Sequence, residues 1–261
     1  MLKSSIVSIF AQLTWWCSSG LLAILLLCAF RGRFVSKYPV FCAYAFVMLL
    51  GGICRYYVFK FYPDEYLRFY WYTEFLTVAG GYAIIWQMYS HTLQPYPGSA
   101  RMARVVVSAV FAAIWVQLLF IVVLSQGREV WGRVLLMERN LYSVQVVLIL
   151  LFLLLIWYYR IPLGGNLNGL LAGYGLYVAA TLITLTLRSA LGAPFQVWWD
   201  ILSQISVVVS LGIWAIAFRS YCPNPVPEHK IELERDYELA AQRTVEAIGR
   251  ARGYLARAFL Q

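Results

Sequence analysis

Charged residues divide this chain into long uncharged stretches. No Asp, Glu, Lys or Arg occurs in residues 4–30, 38–54, 75–100, 105–127, 140–159, 161–187 or 201–218, and no other gap between charges exceeds 11 residues. Each stretch is dense in Leu, Ile, Val, Phe, Ala and Trp. A helix crosses the hydrocarbon core of a bilayer with about 20 such residues. The pattern therefore predicts seven membrane-spanning helices, over residues 9–30, 38–59, 70–90, 104–126, 140–159, 167–187 and 198–218. The second stretch is short, and its helix is expected to run past Arg55, whose long side chain can reach the headgroups. The first stretch runs straight into Arg31-Gly32-Arg33 with no small-x-small cleavage pattern, so it reads as a retained helix rather than a signal peptide.

The pattern changes after Tyr221. Residues 222–227, Cys-Pro-Asn-Pro-Val-Pro, read as a stiff extended hinge. Residues 228–261 read as a charged helix, acidic at its start and basic at its end, which suits the helix dipole. Leu233, Tyr237, Ala241, Thr244, Ile248, Ala251, Leu255 and Ala258 form an apolar stripe at helical spacing. Arg243, Arg250 and Arg257 repeat every seven residues on another face, where they could meet anionic lipid or a partner. The predicted architecture is all-α: a polytopic seven-transmembrane-helix bundle (1–221), a Pro-rich hinge (222–227) and a C-terminal amphipathic cytoplasmic helix (228–261).

Composition agrees with this picture. The chain is 62% hydrophobic and 13% charged, against about 45–50% and about 25% for a soluble domain. Too few charges remain to cover a water-facing surface. The formal net charge of +9 would also fit nucleic acid, but the arginines sit beside apolar runs, so lipid headgroups are the expected anions and no nucleic acid is predicted.

Orientation follows from the basic residues. With the N-terminus outside, 13 of the 21 Lys and Arg lie on the cytoplasmic side, led by Arg31, Arg33 and Lys37 in the first loop. Trp15, Trp16, Trp71, Trp131, Trp198 and Trp199 then form an outer aromatic belt, and Trp157, Tyr158 and Tyr159 an inner one. The expected location is a bacterial inner membrane, with the N-terminus outside and the C-terminus cytoplasmic.

Lipid does not drive apolar helices together, so close packing needs small residues. Gly51-Gly52, Gly80 with Gly81, and Gly169 with Gly173 supply them, for contact between neighbouring helices, for an oligomer face or for a ligand gap. In the last span Asp200, Ser203, Ser206 and Ser210 share one helical face, which is expected to turn away from lipid.

Ionisable residues near a membrane interior are costly and mark candidate sites. Arg55, Glu74, Arg139, Arg188 and Asp200 all fall at the outer ends of spans, where they could converge into a polar cup for a small polar or anionic ligand, or act as paired interface anchors. Arg188 and Asp200 bracket a short loop and are expected to pair with each other. His91 and His229 are both cytoplasmic, so an intramembrane haem lacks ligands. None of the four lysines lies within a span where a retinal Schiff base could form, and no protease or acyltransferase motif occurs. The five cysteines form no metal-ligand spacing, and whether Cys17 and Cys54 pair stays open. No catalytic residue, metal site or cofactor is predicted, and bound lipid is the one accessory molecule the composition invites.

Tyr70–His91 (YWYTEFLTVAGGYAIIWQMYSH), Arg139–Pro162 and Gly169–Ser189 resemble uncharacterised seven-helix bacterial integral membrane proteins. The resemblance implies a seven-helix fold and a bacterial membrane, and brings no function or site residues with it. In topology the chain also resembles the seven-helix modules of bacterial receptors, without an extracytoplasmic ligand domain or a kinase or cyclase domain. Two functions are expected from the sequence. The first is a structural or accessory subunit that assembles with itself or with other membrane subunits. The second is a sensor for a small polar ligand that signals through the tail helix.

Overall fold

The computed structural model describes residues 2–32, 34–94, 130–192 and 195–222, with single positions between 105 and 116, at 225, and between 235 and 246. Side chains are described from residue 12 in the first stretch and from residue 138 in the third. The described chain is helical apart from short turns and links, and holds no strand. Six long helices occur: α1 (Leu2–Arg31), α2 (Pro39–Phe61), α3 (Tyr66–Thr92), α4 (Val130–Tyr159), α5 (Gly165–Leu191) and α6 (Gln196–Ala217). A single helical turn, Phe34–Lys37, links α1 to α2, and a 3-10 turn, Pro63–Glu65, links α2 to α3.

Among the described residues, five segments are long and apolar enough to cross a membrane: Gln12–Arg31, Pro39–Phe61, Glu138–Tyr159, Gly165–Leu191 and Trp198–Ala217. Between 22% and 44% of each apolar window is buried inside the protein. Most of this apolar surface therefore points outward, as with Leu27, Ile53, Leu150, Ile183 and Ile216. A soluble protein rarely exposes such a continuous apolar girdle, and lipid is the solvent that satisfies it. The chain is thus an all-helical protein with the build of a membrane protein. The predicted span 104–126, the tail helix 228–261 with Arg250 and Arg257, and most of the hinge lie outside the described residues. Arg243 is described only as a helical, exposed position.

Local chemistry sets the helix ends. Pro39 opens α2, where its missing N–H costs nothing. Tyr38 offers that helix no side-chain cap. Instead, Gln87 of α3 accepts the Phe41 amide at 3.0 Å, so a neighbouring helix satisfies a first-turn donor. Gly192 ends α5 with φ 66°, a left-handed conformation that glycine adopts without a Cβ penalty. Arg160 ends α4 in the same region with φ 49°, at some steric cost, and Pro162 prevents the helix from resuming.

Each helix packs on its neighbour in the order α1 to α6, and α6 returns to α1, so the six close into a ring. α3 and α4 run parallel. Tyr82 donates to the Leu141 carbonyl at 2.8 Å and Tyr89, seven residues on, to the Leu148 carbonyl at 2.9 Å, also seven residues on. The two tyrosines fix both the direction and the register of the pair.

Aromatic side chains fill one half of the ring. Phe41 stacks on Phe218 with centroids 4.5 Å apart and meets the edge of Trp214 at 5.1 Å. Phe34, Tyr38, Tyr44 and Tyr174 join them, all buried. The small residues admit these rings. A Cβ on Gly80 would stand 2.7 Å from the Tyr44 ring, and one on Gly81 would collide with the Tyr174 hydroxyl. On Gly173 it would run into Trp214, and on Gly169 into Ala217. Two ends can therefore be named, the Phe218 end and the opposite Arg55 end.

Candidate functional site, a polar cavity at the Arg55 end

Above the aromatic half, at the Arg55 end, the ring encloses a cavity of about 380 Å³. All six helices contribute to its wall. It is lined by hydroxyls of α1 and α5, by Gly51 and Gly52 of α2, and by Ser203 and Gln204 of α6. Three charged side chains line it: Arg55, Glu74 and Glu138. One helical turn further in, Leu25, Tyr44, Val78, Tyr174 and Leu211 are buried and floor the space.

Arg55 and Glu74 form an ion pair, Nη2 to Oε2 at 3.1 Å. The Arg55 Nε also donates to Thr73 Oγ1 at 2.5 Å, and its guanidinium lies 4.6 Å from the Tyr70 ring centre. The second Glu74 oxygen accepts from the Tyr142 hydroxyl at 3.1 Å, and Tyr142 meets the Tyr177 hydroxyl at 3.2 Å. One buried carboxylate thereby joins α2, α3, α4 and α5. Below it, Gln145 donates to the Val78 carbonyl at 3.0 Å and accepts from Tyr174 at 2.9 Å. Every polar group in this spine has a partner, which a low-dielectric interior demands.

Glu138 differs. It is 7% exposed and lines the same cavity. Neither ion pair among the described residues includes it, and it takes part in no hydrogen bond among them.

The hydroxyls on the wall have a direction. Ser18 donates to the Thr14 carbonyl at 2.8 Å, Thr77 to Thr73 at 3.0 Å, Thr181 to Tyr177 at 2.8 Å and Thr184 to Ala180 at 2.8 Å. Ser203 donates to the Asp200 carbonyl at 3.2 Å. Each hydroxyl proton is committed to its own helix. What remains free on these five oxygens is lone pairs, so they face the cavity as acceptors.

Of the five charged residues expected to converge, the structure brings together Arg55 and Glu74. Arg139 reaches Ser189 at 3.4 Å instead. Arg188 lies over the Trp199 ring at 4.3 Å, while Asp200 accepts from Gln196 at 3.1 Å. The expected Arg188–Asp200 ion pair is not made, because a ring on the residue before Asp200 and an amide one turn earlier satisfy each charge separately. The serine face of α6 turns inward: Ser203 lines the cavity, and Ser206 and Ser210 are buried. Cys17 and Cys54 are free thiols.

Glu138 lies two residues before the predicted start of its span and is not among the site residues expected from the sequence. The signal that could have found it is periodicity: Glu138, Tyr142, Gln145 and Ile149 recur at four, three and four residues, one helical face. Among the described residues no three His, Cys, Asp or Glu side chains gather as a metal site would require. Comparison with protein-family models, curated proteins and solved structures returns no match, so the cavity stands on its own geometry.

Proposed function

We propose that this chain is a multi-pass membrane receptor that binds a small polar ligand in the cavity at the Arg55 end. The observation that carries the proposal is a polar, charged cavity of about 380 Å³ to which all six long helices contribute. Specific ligand sites have volumes of about 300–1,000 Å³ and few, well-placed polar groups.

The rival role, an accessory subunit, would use small-residue faces for assembly. Gly80, Gly81, Gly169 and Gly173 are instead occupied by Tyr44, Tyr174, Ala217 and Trp214 of the same chain. Outside partners in our reading are lipid and, through the Arg243, Arg250 and Arg257 face, anionic headgroups or another copy or subunit.

The full topology in this proposal is seven crossings of a bacterial inner membrane, with the Arg55 end outside and the tail in the cytoplasm. Parallel α3 and α4 support the seventh crossing. The chain leaves α3 at the Phe218 end and enters α4 at the Arg55 end, so it must return between them, and residues 105–127 are the uncharged stretch available. The tail is reached through α5 and α6. Both line the cavity, and at the far end Asn166 of α5 donates to the carbonyls of Ala217 at 2.6 Å and Ser220 at 2.8 Å, and accepts the Cys222 amide at 2.6 Å. A ligand that shifts α5 against α6 would be felt there.

The test is a thermal-stability screen of small polar compounds on purified full-length protein, run beside Ser203→Trp and Thr181→Trp, which fill the cavity. Compounds that stabilise the wild type and neither variant support the proposal. A screen in which no compound separates them contradicts it.

A further inference from the structure

Resting on the cavity being a ligand site, we propose that its ligand is a small organic ammonium ion with Glu138 as counter-charge. Three independent observations point to a cation. The first is charge: Arg55 already holds Glu74 in an ion pair, while the carboxylate of Glu138 lines the same wall outside any ion pair among the described residues. The second is hydrogen bonding. Ser18, Thr77, Thr181, Thr184 and Ser203 all spend their protons on their own helices, so these five wall hydroxyls offer acceptors to N–H groups rather than donors to an anion. The third is the aromatic lining of Trp15, Tyr70, Tyr177 and Trp199. Two of these rings already carry a cation, Arg55 on Tyr70 at 4.6 Å and Arg188 on Trp199 at 4.3 Å. Ring faces attract ammonium groups by their negative quadrupole.

An inorganic divalent ion fits less well. It would require several oxygen ligands of fixed geometry, and one of the two carboxylates is already held by Arg55 and Tyr142. An ammonium group needs one counter-charge, two or three acceptors and an apolar or aromatic surface for its carbon part, which is the inventory of this wall. The cavity volume of about 380 Å³ suits a short amine or a diamine rather than a lipid.

The experiment uses full-length protein in detergent with ethylammonium chloride, 1,4-diaminobutane dihydrochloride and tetramethylammonium chloride as probes. Sodium chloride at equal ionic strength, sodium propionate and propanol are the comparisons. Thermal stability is read against concentration for wild type, Glu138→Gln, Glu138→Asp and Ser203→Trp. We expect at least one ammonium probe to stabilise the wild type saturably. Its apparent Kd should rise at least tenfold in Glu138→Gln, rise less in Glu138→Asp, and the effect should vanish in Ser203→Trp. If Glu138→Gln does not fold, Thr181→Val, which removes an acceptor, carries the comparison with Glu138→Asp. An ammonium response with the same Kd in every Glu138 and Thr181 variant overturns the proposal. Stabilisation by propionate or propanol alone, lost in Ser203→Trp, overturns the cation while leaving the cavity as a ligand site. No response to any probe of any class overturns both.

Discussion

Arg55 of α2 reaches Glu74 of α3 at 3.1 Å, and the opposite oxygen of the same carboxylate accepts from Tyr142 of α4 at 3.1 Å. The Glu74 side chain is 11% exposed and that of Arg55 24%. The pair is therefore intermediate between an exposed one, worth about 0–1 kcal/mol, and a fully buried one, where losing a single partner costs about 3–5 kcal/mol. Arg55→Met and Glu74→Gln should each cost about 2 kcal/mol, between those limits. The double variant should lose clearly less than the sum, measured by unfolding in detergent. Additive losses would mean that the pair does not hold α2 to α3.

Glycine substitutions should separate by position. A Cβ on Gly81 or Gly173 meets Tyr174 or Trp214, whereas on Gly51 it meets nothing within 4 Å. Gly81→Ala and Gly173→Ala should destabilise by about 1–3 kcal/mol through overpacking. Gly51→Ala should be neutral or stabilising, since alanine favours helix over glycine by about 1 kcal/mol. Adding Tyr174→Phe should recover part of the Gly81→Ala loss by removing the colliding hydroxyl. Equal effects at all three glycines would contradict the packing.

Much of this fold was legible in the sequence because charge is forbidden in hydrocarbon. The uncharged stretches located α1, α2, α5 and α6 to within a few residues at most boundaries. α4 was read from residue 140 but begins at Val130. A charge marks the edge of the membrane, not the end of a helix, and Arg133, Glu138 and Arg139 do not break helical hydrogen bonding. α3 was legible as a span, yet it is the long helix that does not meet the hydropathy expected of one. Its Tyr, Gln and Glu residues are spent on neighbouring helices, as Tyr82, Gln87 and Glu74 show. The site was only half legible. Charges at span ends suggested a cup, but which of them converge depends on helix rotation and on competing partners. Trp199 took Arg188 and Gln196 took Asp200.

That competition has a measurable consequence. Exchanging the charges in Arg188→Asp with Asp200→Arg should give additive losses, because the two do not pair. Arg188→Met and Trp199→Leu should instead be coupled by about 0.5–1 kcal/mol, the worth of an exposed cation–π contact. Restoration of stability in the charge exchange would show that the two residues pair after all.

Asn166 should act as the clasp for the start of the tail, since it bonds the last carbonyl of α6 and two groups of the chain after it. Asn166→Ala should cost about 1–3 kcal/mol by leaving buried polar groups unpaired. It should also raise hydrogen exchange at the Cys222 amide. Asn166→Asp retains the acceptor for that amide and should keep its protection better than alanine does. Unchanged exchange at Cys222 in Asn166→Ala would remove the clasp from the signalling route.

The most direct measurement of the central claim is the reach of water into the cavity. In a variant with the five native cysteines replaced, single cysteines at Thr181 and Ser203, which line the cavity, are compared with Leu25 and Val178, which are 1% and 0% exposed. A membrane-impermeant trimethylammonium methanethiosulfonate is applied to intact cells and, separately, to inverted vesicles. We expect Thr181→Cys and Ser203→Cys to react from outside the cell at least tenfold faster than Leu25→Cys and Val178→Cys. If the two cavity positions react no faster than the two core positions from either side, the space is closed to water-soluble cations and the receptor reading is wrong.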